Sequence, residues 1–276
     1  MYAHDFKPNR NCIDHGLIFV AMPFNDNYDY IFNDLIVPAS ALANKKLGYE
    51  DNLSLRPFRT KDDIRTKSGW LNILENLFTA QIVMGVLTDN NQNVFYELGI
   101  AHATQQIEKQ ILIANKGYQQ SFDTKDLIYL EYDENNIEKS IEPLANKIVE
   151  AIKIYQLEKE KAVIKASGSV GPFEFLALMT YGWRRNFYHD ESDEKVRILS
   201  EKQKEQLLIG MNNLCHLGLL HFHTDSHRDE ENQAVFHIKF SYWWTQIGND
   251  VLKFLNIITG EELLQRKKDL PTQLIL

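Results

Sequence analysis

Residues 81–103 read QIVMGVLTDNNQNVFYELGIAHA, and this stretch decides the fold. Its first seven residues, 81–87, form an apolar run that predicts a buried strand. A polar turn follows, and a helical pattern begins near Val94. We therefore expect Glu97 in the first turn of that helix, just beyond the carboxyl end of the strand. Ligands bind at that edge in open α/β sheets, so Glu97 is the first candidate for a functional side chain.

A purely structural role for the same residues remains open at this point. Glutamate is favoured in the first turn of a helix because it complements the positive end of the helix dipole. Either Asn93 or Asp89 could act as an ordinary N-cap for the helix. The position of Glu97 alone does not show whether the residue stabilises the helix or takes part in a reaction.

Strands and helices alternate on both sides of this stretch. The predicted strands are residues 16–22, 52–58, 81–87, 110–114 and 127–132, and the predicted helices are residues 28–46, 70–80, 94–106 and 137–161. This alternation predicts an α/β domain over residues 1–165, with a five-stranded parallel sheet flanked by helices. Right-handed crossovers bring the carboxyl ends of the strands to one edge. The segment after Met22, the region of Arg59 and Glu97 are therefore expected to share one crevice.

The pattern changes at residues 166–172, ASGSVGP, which predict a domain boundary. Beyond it we predict helices at 173–181 and 201–216, strands at 219–224 and 234–240, and a final helix at 242–255. Ser200 is a plausible N-cap for the second of these helices. The order predicts a small α+β, winged-helix-like domain over residues 172–276.

Composition restricts the broad class of the protein. The chain has 276 residues and a formal net charge of -8, which argues against broad binding to a phosphate backbone. No apolar run approaches the ~20 residues of a membrane span, and residues 1–14 lack the apolar core of a signal peptide. Cys12 and Cys215 suggest no disulfide framework. We therefore expect a cytoplasmic protein without a membrane partner.

Four segments resemble the nucleoside 2-deoxyribosyltransferase superfamily, in the order seen there. FVAMPF at 19–24 resembles the opening strand and substrate loop, and RTKDDI at 59–64 is similar to the segment after the second strand. Residues 82–89 resemble the strand that leads into the active site. NVFYELGIAHA at 93–103 matches the start of the signature helix and is the most specific of the four. The resemblance ends near Tyr132.

This resemblance implies a flavodoxin-like sheet and chemistry at an N-glycosidic bond. In the superfamily, the carboxylate that matches Glu97 attacks the anomeric carbon of the sugar and the base leaves. The transition state resembles an oxocarbenium ion, so a nearby carboxylate stabilises it and can form the covalent bond. The resemblance makes Asp89 the residue that would assist the departing base with a proton or a hydrogen bond. Glu97 and Asp89 are thus the expected catalytic residues.

The resemblance also identifies the expected binding residues. They are Met22, Phe24, Arg59, Asp62, Asp63, Asn93 and Tyr96. Arg59 or Lys61 could bind a 5′-phosphate, or either could form a surface ion pair. Gly99 could allow a ligand to approach or a helix to pack closely. The amide-rich turn at 90–93 resembles the nucleotide-hydrolysing relatives, which favours hydrolysis of a nucleotide or NAD over base exchange.

Residues 215–237 contain one cysteine and five histidines, which raises the question of a metal site. No Cys-x2-Cys pair is present, and strand alternation puts His221 and His223 on one face without an obvious third ligand. We therefore predict no metal site and no cofactor. The helix at 201–216 is not a basic stripe, so DNA binding is only weakly indicated. Trp183 and the aromatic residues 242–244 could fill a core or form an interface.

The resulting hypothesis is a nucleotide or nucleoside N-glycosidase that uses Glu97 as its nucleophile. The C-terminal domain would support homo-oligomer formation or respond to a partner, as in a bacterial defence or stress effector. Two alternatives remain. One is a non-catalytic sensor of a nucleotide signal, and the other is a ligand-responsive transcription regulator.

Overall fold

The computed structural model describes residues 14–49, 54–62, 69–104, 109–119, 128–190, 193–228 and 236–268. The chain divides after Leu157 into two compact units. Among the described residues, none of the helices combines the length and the apolar character needed to cross a membrane on its own. One strongly bent pair of helices, 138–168 with 172–181, meets that test by length and composition alone.

The first unit is built on a five-stranded sheet in which every strand pairing is parallel. Its strands are β1 Asp14–Ala21, β2 Arg56–Phe58, β3 Ala80–Val86, β4 Gln110–Asn115 and β5 Leu130–Tyr132. Their spatial order is β2-β1-β3-β4-β5, which is the order of flavodoxin-like folds. The predicted α/β class and parallel sheet are confirmed. The two edge strands have three residues each and are shorter than predicted, although residues 52, 53 and 127 lie outside the described part of the chain.

Helices cover both faces of this sheet. They are α1 Val37–Leu47, α2 Gly69–Thr79, α3 Gln92–Thr104 and α4 Glu138–Gly168. A π-helical segment, Ile31–Ile36, leads directly into α1, where Pro38 is one of the first helical residues. Short 3-10 turns lie at Asp26–Tyr28, Thr60–Asp62 and Thr88–Asn90. The last two of these turns follow the carboxyl ends of β2 and β3.

Side chains of β1 alternate between two apolar cores, as expected for a strand buried on both faces. Ile18 and Val20 belong to the core that also contains buried residues of α1 and α4. Phe19 and Ala21 belong to the opposite core, with buried residues of α2 and α3. Burial on both faces is the reason why the strand reads as a continuous apolar run.

Helix α3 packs closely on β3 at Gly85. A Cβ atom added at Gly85 would lie 2.7 Å from Cδ2 of Leu98. Because Leu98 directly follows Glu97 in the chain, this contact sets how near the glutamate lies to the sheet. A Cβ atom at Gly99, by contrast, would meet nothing within 4 Å. Close packing is therefore not the reason for glycine at position 99.

These two glycines make a matched pair for mutagenesis. We expect Gly85→Ala to lower the free energy of unfolding by about 1 to 2 kcal/mol, because the added methyl group overpacks the contact with Leu98. Gly99→Ala should leave it unchanged or raise it by up to about 1 kcal/mol, through better helix propensity. Urea unfolding followed by circular dichroism would measure both values. Equal losses in the two variants would contradict the packing described for Gly85.

The second unit combines five helices with a three-stranded antiparallel sheet. The helices are α5 Pro172–Tyr181, α6 Glu194–Arg197, α7 Glu201–His216, α8 Gln246–Phe254 and α9 Gly260–Lys268. The strands are β6 Asn186–Tyr188, β7 Leu220–Arg228 and β8 Phe236–Trp244, in the order β6-β8-β7. The predicted bounds of α7 are confirmed, and Ser200 caps it in a capping box with Gln203.

Two features of this half of the chain differ in detail from what the sequence suggested. The stretch 166–172 is partly helical, since α4 continues to Gly168, and Val163 of the same helix belongs to the core of the second unit. The predicted final helix begins too early, because residues 242–244 complete β8 and Thr245 caps α8. Tyr242 and Trp244 lie two residues apart and both join the core of this unit, as the period of a strand requires. Strand β6 and helices α6 and α9 were not predicted.

Candidate active site

A small cleft lies where the segments that follow β1 and β2 approach α3. Its volume is about 240 Å³, including space open to solvent. The residues that line it are Val20, Met22, Pro23, Phe24, Arg59, Thr60, Lys61 and Glu97. Five of the residues singled out from the sequence therefore share one cleft: Met22, Phe24, Arg59, Lys61 and Glu97. They meet because parallel strands deliver their carboxyl ends to the same edge of the sheet.

Glu97 is the buried carboxyl group of this cleft, with 6% of its surface exposed. Burial raises the pKa of Glu97 to about 7, and no charged side chain in the described part of the chain opposes that rise. Near neutral pH, the carboxyl group is therefore divided between its protonated and ionised forms. A carboxyl group in this state can act as a nucleophile, as a general acid or as a general base.

Glu97 lies in the second turn of α3, which corrects the prediction of the first turn. The helix begins at Gln92, and Asn91 precedes it. The Asn91 side chain accepts a hydrogen bond from the backbone N–H of Asn93 at 3.0 Å, so Asn91 is the cap rather than Asn93 or Asp89. The prediction offered one residue after and one residue before the observed cap, because several polar residues in the turn could serve equally well.

Arg59 and Lys61 are held by two aspartates that were not among the site residues expected from the sequence. Arg59 Nη1 donates a hydrogen bond to Asp29 Oδ1 at 2.7 Å, and Lys61 Nζ lies 2.9 Å from the same oxygen. Lys61 also forms an ion pair with Asp26. The Lys61 ammonium, followed by the Arg59 guanidinium, holds the pKa of Asp29 below its usual value against the effect of burial. These contacts show ion pairs at both cations.

The Arg59 guanidinium is further fixed by an aromatic ring. Its Cζ lies 4.5 Å from the centre of the Phe32 ring, a cation–π distance. Arg59 is 7% exposed overall, so it is among the most buried charged residues of the first unit. The stretch NDNYD at 25–29 could have indicated the acidic partners of Arg59 and Lys61. Its two aspartates lie three residues apart, directly after the segment that resembles a substrate loop.

Three predicted site residues do not line the cleft. Asn93 is exposed, and Tyr96 is 61% exposed, because neighbouring positions on a helix point in different directions. Asp89 is also exposed, in a turn where its φ is 62°. Left-handed φ values are uncommon for residues other than glycine, although aspartate and asparagine tolerate them better than most. The structure does not describe the side chain of Asp62 or any part of Asp63. The predictions for these two residues therefore lie outside the described residues.

In the second unit, four of the histidines lie on the β7–β8 hairpin. His221 and His223 are exposed on β7, and His227 pairs with His237 in the strand register. Within the described ranges, no three side chains of His, Cys, Asp or Glu are grouped so that they could hold a metal ion. Burial raises the pKa of the Cys215 thiol to about 11, so a thiolate is disfavoured.

The aromatic residues of this unit divide between its core and its surface. Trp244 is buried, and Tyr242 stacks against Phe187 at a centroid distance of 5.4 Å. Trp183 differs, being 49% exposed, with the guanidinium of Arg184 lying 4.5 Å from its ring centre. Of the two interpretations left open for these aromatics, a core role fits Trp244 and Tyr242.

No family model matches the chain, and no curated protein is significantly similar to it. The chemistry available at the cleft therefore follows from its own residues. These are one buried carboxyl group of raised pKa, an exposed aromatic ring at Phe24, and two cations that are already paired.

Proposed function

We propose that the protein hydrolyses the N-glycosidic bond of a nucleoside or nucleotide, with Glu97 as the nucleophile. One observation carries this proposal. The Glu97 carboxyl group is buried but lines a small cleft at the carboxyl edge of a flavodoxin-like sheet. Such an edge is the usual ligand site of this architecture, and a buried carboxyl group of raised pKa is typical of a functional site. The resemblance of residues 93–103 to the superfamily's signature helix supports the same assignment.

The reaction would proceed in two displacements at C1′ of the sugar. In the first, an oxygen of the ionised Glu97 bonds to C1′ while the bond from C1′ to the base breaks. The base leaves with the electron pair and takes a proton from solvent. In the second, water attacks C1′, the ester bond to Glu97 breaks, and a proton is released. The products are free base and free sugar.

Other residues of the cleft would bind the substrate. Phe24 is 51% exposed at the cleft, so its ring is available to stack on a base. Met22 and Pro23 provide apolar contact surface beside it. Asp89 does not line the cleft, so its role as an acid stays a prediction. The binding roles of Asn93 and Tyr96 stay predictions for the same reason.

Release of free base tests this proposal. Purified protein would be incubated with ribonucleosides, deoxyribonucleosides, their 5′-monophosphates and NAD, and the products separated by chromatography. Free base accumulating with time supports hydrolysis. Tight binding without turnover would instead support a nucleotide sensor. The cleft favours that second candidate in one respect, because Glu97 is the sole carboxyl group among its described lining residues.

The pH dependence of the rate distinguishes the role of Glu97. A nucleophile must be ionised, so kcat/KM should rise about tenfold per pH unit below the Glu97 pKa of about 7 and then level off. Initial rates between pH 5 and 9 would measure this. A rate that falls as the pH rises through 7 would identify Glu97 as a general acid instead.

For the second unit, we propose a winged-helix-like arrangement that serves oligomer formation or partner sensing. Helix α7 followed by the β7–β8 hairpin supports this proposal. The exposed face of α7 does not favour a DNA-binding role, because Lys204 is paired with Glu201 at 2.7 Å. A mobility shift that weakens steeply with salt would support DNA binding. A concentration-dependent mass in solution would support self-association.

A further inference from the structure

The charges around the cleft compensate one another at one end. Two cations, Arg59 and Lys61, belong to the lining, and two carboxylates, Asp26 and Asp29, pair with them. Asp29 accepts from Arg59 Nη1 at 2.7 Å, and its two oxygens lie 2.9 and 3.1 Å from Lys61 Nζ. These four groups carry no net charge together. Charge-assisted hydrogen bonds of this kind are the strong ones.

An incoming phosphate would meet two cations of the cleft lining that already hold carboxylate partners behind them. The Arg59 side chain is only 9% exposed and rests on the Phe32 ring, so it has little freedom to turn toward a ligand. A phosphate placed against Arg59 and Lys61 would either displace Asp29 or lie close to it with the same sign of charge. Displacing Asp29 would break its hydrogen bonds to both cations. Leaving Asp29 in place would bring two negative groups together at a partly buried site, where like charges repel more strongly than in water.

We propose that Asp29, assisted by Asp26, is a specificity-determining residue that excludes phosphate from this end of the cleft, so that the substrate is a nucleoside without a 5′-phosphate. This inference rests on the proposed N-glycosidase function. It reverses the preference for a nucleotide that the sequence suggested, which came from the amide-rich turn at 90–93 and from the possibility that Arg59 or Lys61 binds a 5′-phosphate. A neutral ribose or deoxyribose at this end leaves the ion pairs intact.

Binding measurements in a Glu97→Gln background test the inference without turnover. Isothermal titration would compare the common nucleosides with their 5′-monophosphates, using Glu97→Gln alone and combined with Asp29→Asn. Asp26→Asn is a second variant that removes one carboxylate without touching Arg59, and Asp26 is the more exposed of the two acids. Circular dichroism would confirm that each variant is folded.

A matched control is available at the opposite end of β1. Asp14 accepts a hydrogen bond from Arg56 Nη2 at 2.7 Å, in an ion pair with both side chains about half exposed. Asp14→Asn changes the net charge as Asp29→Asn does, but at the amino end of the strand. It therefore separates a local effect from a change in overall charge.

We expect the Glu97→Gln protein to bind a nucleoside at least about tenfold more tightly than its monophosphate. Asp29→Asn should shift this ratio toward the monophosphate by about tenfold or more, and Asp26→Asn by a smaller factor. Inorganic phosphate should compete with nucleoside binding only in the Asp29→Asn protein. Asp14→Asn should leave the ratio unchanged.

Three results would overturn the inference. Tighter binding of the monophosphate by the Glu97→Gln protein would reject it, while leaving the N-glycosidase function standing. Equal shifts in Asp29→Asn and Asp14→Asn would reject the local role of Asp29. Absence of binding for every nucleoside and monophosphate would reject the inference together with the proposed function.

Discussion

Replacement of Glu97 by glutamine is expected to lower kcat/KM for base release by about 10³-fold or more, because the nucleophile of a covalent reaction is lost. Glutamine has nearly the same shape as glutamate, so the cleft should keep its form. Initial rates of base formation, measured by chromatography at saturating and low substrate, would provide the value. The protein should stay folded, since an uncharged side chain is easier to bury than an ionised one.

Glu131→Gln is a suitable control for this experiment. Glu131 is exposed on the edge strand β5, and its replacement removes the same charge from the same unit. We expect its base-release rate to stay within about twofold of the wild-type rate, as for a surface substitution away from the site. Unchanged turnover in Glu97→Gln would reject Glu97 as the nucleophile.

Glu97 should also make the stability of the protein depend on pH. Its pKa is raised from 4.5 to about 7 in the folded protein, so the folded state holds the proton more strongly than the unfolded chain does. Stability is therefore lost as the pH rises from about 4.5 through 7. The full loss corresponds to about 3 kcal/mol, at about 1.4 kcal/mol for each pKa unit.

Glu97→Gln removes this penalty, so its stability relative to the wild type should increase with pH. We expect the difference in free energy of unfolding to grow by about 2 to 3 kcal/mol between pH 5 and pH 9. Urea unfolding of both proteins at several pH values would measure it. Glu131→Gln removes the same formal charge at an exposed position and serves as the control for a general charge effect. A difference that stays constant with pH would contradict the burial described for Glu97.

Much of the first unit could be predicted because its signals are local. The apolar run at 81–87 and the helical pattern after it became β3 and α3, and the alternation of elements predicted the parallel sheet. The general rule for strand ends then brought Met22, Arg59 and Glu97 to one edge. No knowledge of individual contacts was needed for this result.

The electrostatic detail of the cleft could not be predicted in the same way. Asp29 and Arg59 are 30 residues apart, and their hydrogen bond exists only after the β1 and β2 segments pack side by side. Nor does sequence separate a cation that is free to bind a ligand from one that already has a partner. The raised pKa of Glu97 likewise follows from burial, which depends on the whole fold.

Short aromatic runs were the main difficulty in the second unit. Residues 242–244 precede a strongly amphipathic helix, and aromatic residues fit a helix or a strand. Pairing with β6 and β7 decided in favour of a strand. The glycine and serine residues at 166–169 suggested a break, but tertiary packing outweighed that weak preference, as it commonly does.

The length of α4 determines where the chain can be divided so that either half is expressed alone. Val163 and Ala166 pack into the core that includes Leu178 and Leu252, yet they precede the glycine-containing stretch that looks like a natural place to truncate. A fragment beginning at residue 172 would lack those two side chains and leave an apolar hollow. A fragment beginning at Glu158 would retain them and is the better starting point for expression of the C-terminal half.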